Sequence, residues 1–390
     1  MNRAMIVSFV YYGFNCLRMG TTAPTAQAAG AEDWTEVRGI LGRALFLALT
    51  IAGCLLALQN LIVDFAFWFI EASAEVEYLG SRYFLIRVWA TPVAMSTYVI
   101  IGWFYGLQEV RIPLILQIST NAINIVLDLL FVFGFGWGVE GVAAASVIAE
   151  YAGLALAFYY VRRRLREMEG GEVPLRIFDF AKMRRILTFN GFIFFRTLCV
   201  VTGMGVFMAQ SAKLGDVPLA ANQVLYNFLL FTSFGLDGLA HTAEALIGQA
   251  IGRRKRAEFS KAVHSVLLWS AVVGAVNVLI YWVAGEAIIG LLTNIPEVRT
   301  AAAIYLPWAI VMPAVSVWAY TFDGIFLGAT RAGIMLVSML LSFVVYMTAM
   351  FTLLPALDNH ALWLALNAFL GLRGITLMAL YPKLRRSLTN

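Results

Sequence analysis

The chain has 390 residues, 61% hydrophobic and 13% charged, with a mean hydropathy of +0.80 and a formal charge of +5. A soluble domain could not hide that much apolar surface, so the composition excludes one and predicts an all-α polytopic membrane protein set in a lipid bilayer. Cys16, Cys54 and Cys199 fall unpaired in apolar segments, and His241, His264 and His360 lack metal-ligand spacing, so no disulfide framework, metal or cofactor is expected.

Apolar runs predict eleven spans, at roughly 4–29, 38–69, 76–107, 111–133 and 139–162, then 184–212, 217–251, 260–292, 298–328, 332–354 and 361–382. The one long polar segment, opening with RRRLREMEGGEVPLR, divides an N-terminal bundle (1–165) from a linker (166–183) and a C-terminal bundle (184–390). Arg38, Arg111, the Arg162/Arg163/Arg164/Arg166 cluster, Arg253, Arg254, Lys255, Arg256, Arg331, Lys383, Arg385 and Arg386 all fall on one side of these spans. The positive-inside rule accounts for them better than a nucleic-acid partner does. It predicts that this side, and the C-terminus with it, is cytoplasmic.

An internal repeat runs at an offset of 222 residues (Gly102 against Gly324). Gln27-Ala28-x-Gly30 falls on Gln249-Ala250-x-Gly252, Glu75-Val76 on Glu297-Val298 and Tyr83 on Tyr305. Gly102-x-Phe104-x-Gly106 falls on Gly324-x-Phe326-x-Gly328, each soon followed by a charge, Glu109 or Arg331. Duplicated helical bundles are a common transporter architecture. The span at 184–212 finds no counterpart, so one further helix is expected upstream in a twelve-span ancestor or a longer gene product.

The segment TNAINIVLDLLFVFGFGWGVEGVAAASVIAE carries the strongest chemical signal. It reads as two apolar helices joined by a Gly-rich turn, with Asp128 in the first and Asn124 one turn before it on the same face. A carboxylate at mid-bilayer depth costs at least about 2.5–3.5 kcal/mol, so it persists where it faces a protein cavity. Desolvation favours its neutral form and a bound cation its charged form, which allows exchange of a proton for a cation. The alternative is a structural hydrogen-bonder between packed helices. Ser146 on the following span and Tyr83 are candidate partners, and Glu150 is expected to pair with Arg18, Arg87 or Arg196. In the second half, Asp237, His241 and Glu244 stand at i, i+4 and i+7 on one face, as a proton relay, a surface for a cationic ligand or the lining of a wet funnel. Asp323 would extend that acidic surface, with Arg373 neutralising one of its carboxylates. The acids are not duplicated: Asp128 aligns with Met350, Asn124 with Tyr346 and Glu244 with Thr22. No P-loop, HExxH or nucleophile elbow occurs, which disfavours ATP-driven pumping and hydrolysis.

FNCLRMGTTAPTAQAAGA, GWFYGLQEVRIPL, the Asn124–Asp128 element, FGLDGLAHTAEALIGQAIG and FDGIFLGATR together resemble the multidrug and toxic compound extrusion (MATE) transporters, in the branch of DNA-damage-inducible protein F. The resemblance spans essentially the whole chain. It implies two six-helix bundles around a cleft, and export of cationic or amphipathic small molecules in exchange for protons or sodium. It matches Asn124, Asp128 and Ser146 to an N-lobe cation site, with Tyr83 in its network and sodium possible at Asp128. It also implies that the family's first helix, with a further aspartate, is missing from this chain. The rival readings are a flippase of lipid-linked oligosaccharides, a membrane-embedded enzyme using Asp237, His241 and Glu244, and an inactive remnant. A monomer is expected.

Overall fold

A bilayer offers no water to exposed backbone groups, so an apolar chain must close its hydrogen bonds within each span. The computed structural model describes residues 13–61, 83–168 and 179–387, and its regular elements are all helical. In order they are α1 (Cys16–Gly30), α2 (Trp34–Ala57), α3 (Thr91–Gly106, after a 3-10 turn at Val88–Ala90), α4 (Arg111–Asp128, continued by a π-helical turn, Leu129–Gly134), α5 (Val139–Glu167), α6 (Phe180–Lys213), α7 (Asp216–Gly252), α8 (Arg256–Leu292), α9 (Pro296–Gly328), α10 (Ala332–Leu357) and α11 (Asn359–Ser387). Nine helices among the described residues are long and apolar enough to cross a membrane. The other two are α1, with 15 residues, and α7, which buries Asn222, Thr232 and Glu244 along its length. Outward-facing side chains such as Phe133, Trp282, Val283 and Leu291 are large and apolar, as a lipid solvent requires.

The chain forms two compact units, Met1–Phe194 and Phe195–Asn390, and the division falls inside α6. The segment read as a linker lies largely outside the described residues, but its flanks are tied to the first unit. Arg38 Nη2 donates to the carbonyls of Leu165 (3.2 Å) and Met168 (2.9 Å) at the C-terminal end of α5, where a cation is favoured. Lys182 Nζ meets Glu36 at 2.5 Å, and Glu36 also meets Arg43 at 2.5 Å.

The 222-residue repeat is present in atomic detail. In the first unit a Cβ on Gly102 would lie 2.3 Å from the Arg18 carbonyl oxygen, and one on Gly106 2.6 Å from that of Thr22. In the second unit a Cβ on Gly324 would lie 2.4 Å from the Ala240 oxygen, and one on Gly328 2.7 Å from that of Glu244. Each of these four pairs aligns residue for residue at the same offset. The helix ends repeat as well. Glu32 (φ 57°) and Arg254 (φ 55°) are left-handed caps, as are Gln108 (φ 62°) and Thr330 (φ 54°). After them, Asp33 N–H reaches the Ala28 carbonyl (3.0 Å) and Lys255 N–H that of Ala250 (3.3 Å). Glu109 and Arg331 N–H likewise reach Phe104 and Phe326, both at 2.9 Å, closing the last turn in the Schellman manner.

The contact predicts its own test. Gly102→Ala and Gly324→Ala are each expected to destabilise the protein by about 1–3 kcal/mol, because the neighbour they strike is backbone and cannot rotate away. Gly53, in α2, has nothing within 4 Å of where a methyl would stand, so Gly53→Ala should be neutral or stabilising by up to about 1 kcal/mol. Thermal unfolding in detergent compares the three, and equal transition temperatures would contradict the packing argument.

Candidate functional site

The α4–α5 hairpin is held by small residues at two levels. A Cβ on Gly153 would lie 2.2 Å from Thr120 Oγ1, and one on Gly141 2.8 Å from Trp137 and 3.3 Å from Phe131. Gly136, at φ 70°, turns the chain beneath a cluster of Phe131, Phe135 and Trp137 whose ring centroids lie 5.1–5.9 Å apart. Between these levels the partly buried Asn124 donates from Nδ2 to Ser146 Oγ at 3.3 Å, linking the two helices.

Asp128 lies one turn further on, also partly buried, and its Oδ1 is buried with no hydrogen-bond partner among the described residues. It is the last α-helical residue of its element. The π-helical turn begins at Leu129, and Phe135 N–H reaches back to the Leu130 carbonyl at 3.0 Å. Such wide turns concentrate at functional positions because they re-aim side chains within an otherwise regular helix. The arrangement offers carboxylate, amide and hydroxyl oxygens from Asp128, Asn124 and Ser146, a donor type that suits a hard cation or an exchangeable proton. Tyr83 is partly buried, and no hydrogen bond joins it to these three residues. Glu150 pairs with Arg87, from Nη1 to Oε1 at 2.8 Å, so one of its three anticipated partners is the observed one.

In the second unit Asp237, His241 and Glu244 follow one stripe of α7, partly buried at the first two positions and fully buried at Glu244. Asp323, on α9, is held by two arginines. Its Oδ2 accepts from Nη2 of Arg196 and, at 2.6 Å, from Nη2 of Arg373. All three side chains are buried, and Arg373 also lies over the rings of Tyr320 (5.9 Å) and Phe369 (5.7 Å). Arg196, considered from the sequence for Glu150, thus serves Asp323 instead. The Asp237 carboxylate acts electrostatically on Arg196, and Ser233 bonds Tyr320 at 2.6 Å, so α6, α7, α9 and α11 meet at this cluster.

Sequence reasoning missed a second buried polar cluster. Asn222 donates to Ser211 (2.7 Å) and exchanges bonds with Asn359 (2.6 and 2.9 Å), while Trp363 donates to its Oδ1 at 2.8 Å. All four residues are at most 2% exposed. The two asparagines sit 137 residues apart near helix starts, and the only available signal was an amide inside an apolar run.

Apolar helices in two repeated units, with titratable residues buried within them, define a polytopic membrane protein of the transporter class. The MatE family profile matches residues 3–130 and 193–352. The chain is 37% identical over 380 residues to DNA damage-inducible protein F of Escherichia coli, spanning 97% of this chain and 83% of that protein. It is 25% identical to Protein DETOXIFICATION 43 of Arabidopsis thaliana over 76% of this chain, which is about half (55%) of that longer relative. The Vibrio cholerae MATE transporter VcmN shares the fold at a TM-score of 0.86 and 18% identity, over 99% of this chain and 88% of that one. The chain belongs to the MatE family, and it is a multi-pass membrane transporter rather than an enzyme.

Removing the Asp323 carboxylate leaves two buried guanidinium groups facing each other. Asp323→Asn is expected to cost about 3–5 kcal/mol, whereas replacing the set together (Arg196→Met, Asp323→Leu, Arg373→Met) should cost far less. Thermal unfolding of the two variants separates these outcomes.

Proposed function

We propose that this transporter is a secondary antiporter that expels cationic or amphipathic small molecules in exchange for protons or sodium by alternating access. The observation that carries the reading is the unsatisfied buried oxygen of Asp128, set one turn from the Asn124–Ser146 bond and at the edge of a π-helical turn. A carboxylate with an idle, buried lone pair binds a proton or a cation far more readily than one already clamped by arginine. Asp323 is clamped in that way, so it serves as an anchor of the second unit, while Asp237, His241 and Glu244 supply the exchangeable groups there. Tyr83 would join the Asp128 network only in another conformation of the transport cycle.

The energetics suffice. One charge moved through 100 mV releases about 2.3 kcal/mol, enough for roughly a fiftyfold gradient of a drug-like solute. Ion binding at Asp128 would favour one arrangement of the N-terminal bundle (1–165) and ion release the other. The charge asymmetry supports a cytoplasmic C-terminus, and we take the transporter as a monomer in the bacterial inner membrane.

Asp128→Asn is expected to reach the membrane at normal levels and to abolish efflux of a fluorescent cationic dye, with Asn124→Ala weakening it. Reconstitution in liposomes under a proton or a sodium gradient identifies the coupling ion. Undiminished dye efflux from the Asp128→Asn variant would retire the coupling role.

A further inference from the structure

A cavity of about 360 Å³ opens in the second unit between the start of α8 and the end of α11. Arg256, Tyr381, Pro382, Arg385 and Arg386 line it, so three of its five lining side chains are guanidinium groups and none is an acid. Glu258, in the first turn of α8, is already engaged by Arg253 (3.1 Å) and Lys255 (3.0 Å). Arg256 is the first residue of α8, whose N-cap, Lys255, makes no side-chain capping bond. The open N–H groups of that first turn add positive character to the same end.

The first unit provides an internal control. At the 222-residue offset, Arg385 and Arg386 fall on Arg163 and Arg164. There Arg164 is neutralised by Glu109 at 2.5 Å and by Glu167 at 3.7 Å, and Arg163 by Glu167 at 3.1 Å. In the second half Arg331 takes the position of Glu109, Thr389 that of Glu167, and Arg256 that of Trp34. Neither aligned position in the second half is therefore acidic, and the cavity lining there adds Arg256 to the two arginines.

We propose that this concavity binds the phosphate of an anionic phospholipid headgroup. Guanidinium groups match a phosphodiester's paired oxygens, and each basic residue near an anionic membrane surface adds about 1 kcal/mol of attraction. The setting selects a lipid over free phosphate. The cavity lies at the ends of two membrane-crossing helices, and one wall is Pro382 with the Tyr381 ring, itself packed 6.0 Å from Phe322. An amphipathic aromatic at such a level is suited to the headgroup boundary.

Native mass spectrometry of the purified full chain, titrated with phosphatidylglycerol, cardiolipin or phosphatidylcholine, tests the site. Selective retention of the anionic lipids is expected. Arg256→Gln, Arg385→Gln and Arg386→Gln should each weaken it roughly fivefold. Arg331→Glu, which imports the first unit's acid without touching the lining, should weaken it as well, whereas Glu109→Gln should leave this site unchanged. Equal retention of phosphatidylcholine, or unchanged binding in the triple arginine variant, would overturn the proposal. Displacement of the bound lipid by low-millimolar inorganic phosphate would do the same, assigning the site to a soluble anion.

Discussion

The architecture depends on helix backbones approaching to within a side chain's thickness. In a bilayer the hydrophobic effect gives no net attraction between helices, so packing must come from close van der Waals contact, which small residues permit. Gly102 and Gly106 allow α3 to lie against the backbone of α1 at Arg18 and Thr22. Gly324 and Gly328 do the same for α9 against α7 at Ala240 and Glu244. These contacts set the distance from which every other side chain in their unit is measured, and they explain why the repeat persists where overall sequence similarity between the halves is faint.

On this shared frame the two units carry different chemistry. Where the first has Asn124 and Asp128, partly buried in a thinly packed helix, the second has Tyr346 and Met350, both 0% exposed in an apolar core. Tyr346 spends its hydroxyl on the Gly203 carbonyl at 3.0 Å, closing a position that its counterpart leaves open. The inverse holds at Glu244, whose counterpart Thr22 merely bonds back to Arg18. A duplicated scaffold can keep its packing and let one copy of each site diverge, because the shared contacts are made to backbone oxygens, which any side chain at that position leaves in place.

Buried charge divides by the same logic. Asp323 has two arginines and Glu150 has Arg87. Pairing removes most of the desolvation cost and with it the freedom to exchange a proton. Asp128 stands outside this pattern. The arginine-lined end of α11 also departs from its counterpart in sequence, with Arg331 and Thr389 at the positions of Glu109 and Glu167. Departures of this kind are where a membrane protein's binding sites are to be sought.

Composition and hydrophobic run length were enough to determine a polytopic helical protein, because continuous apolar runs of about 20 residues fit membrane-crossing helices and not the short alternating strands of a barrel. The offset repeat, the isolated Asp128 and its one-turn neighbour Asn124 were equally legible, since helical spacing alone places them on one face. Three-dimensional pairing was not. That Arg196 would choose Asp323 over Glu150, that Arg373 would meet the same carboxylate rather than one on α7, and that Asn222 and Asn359 would join depended on helices distant in sequence. A local pattern reports which face a residue occupies, but the partner on that face is chosen by the packing of the whole unit.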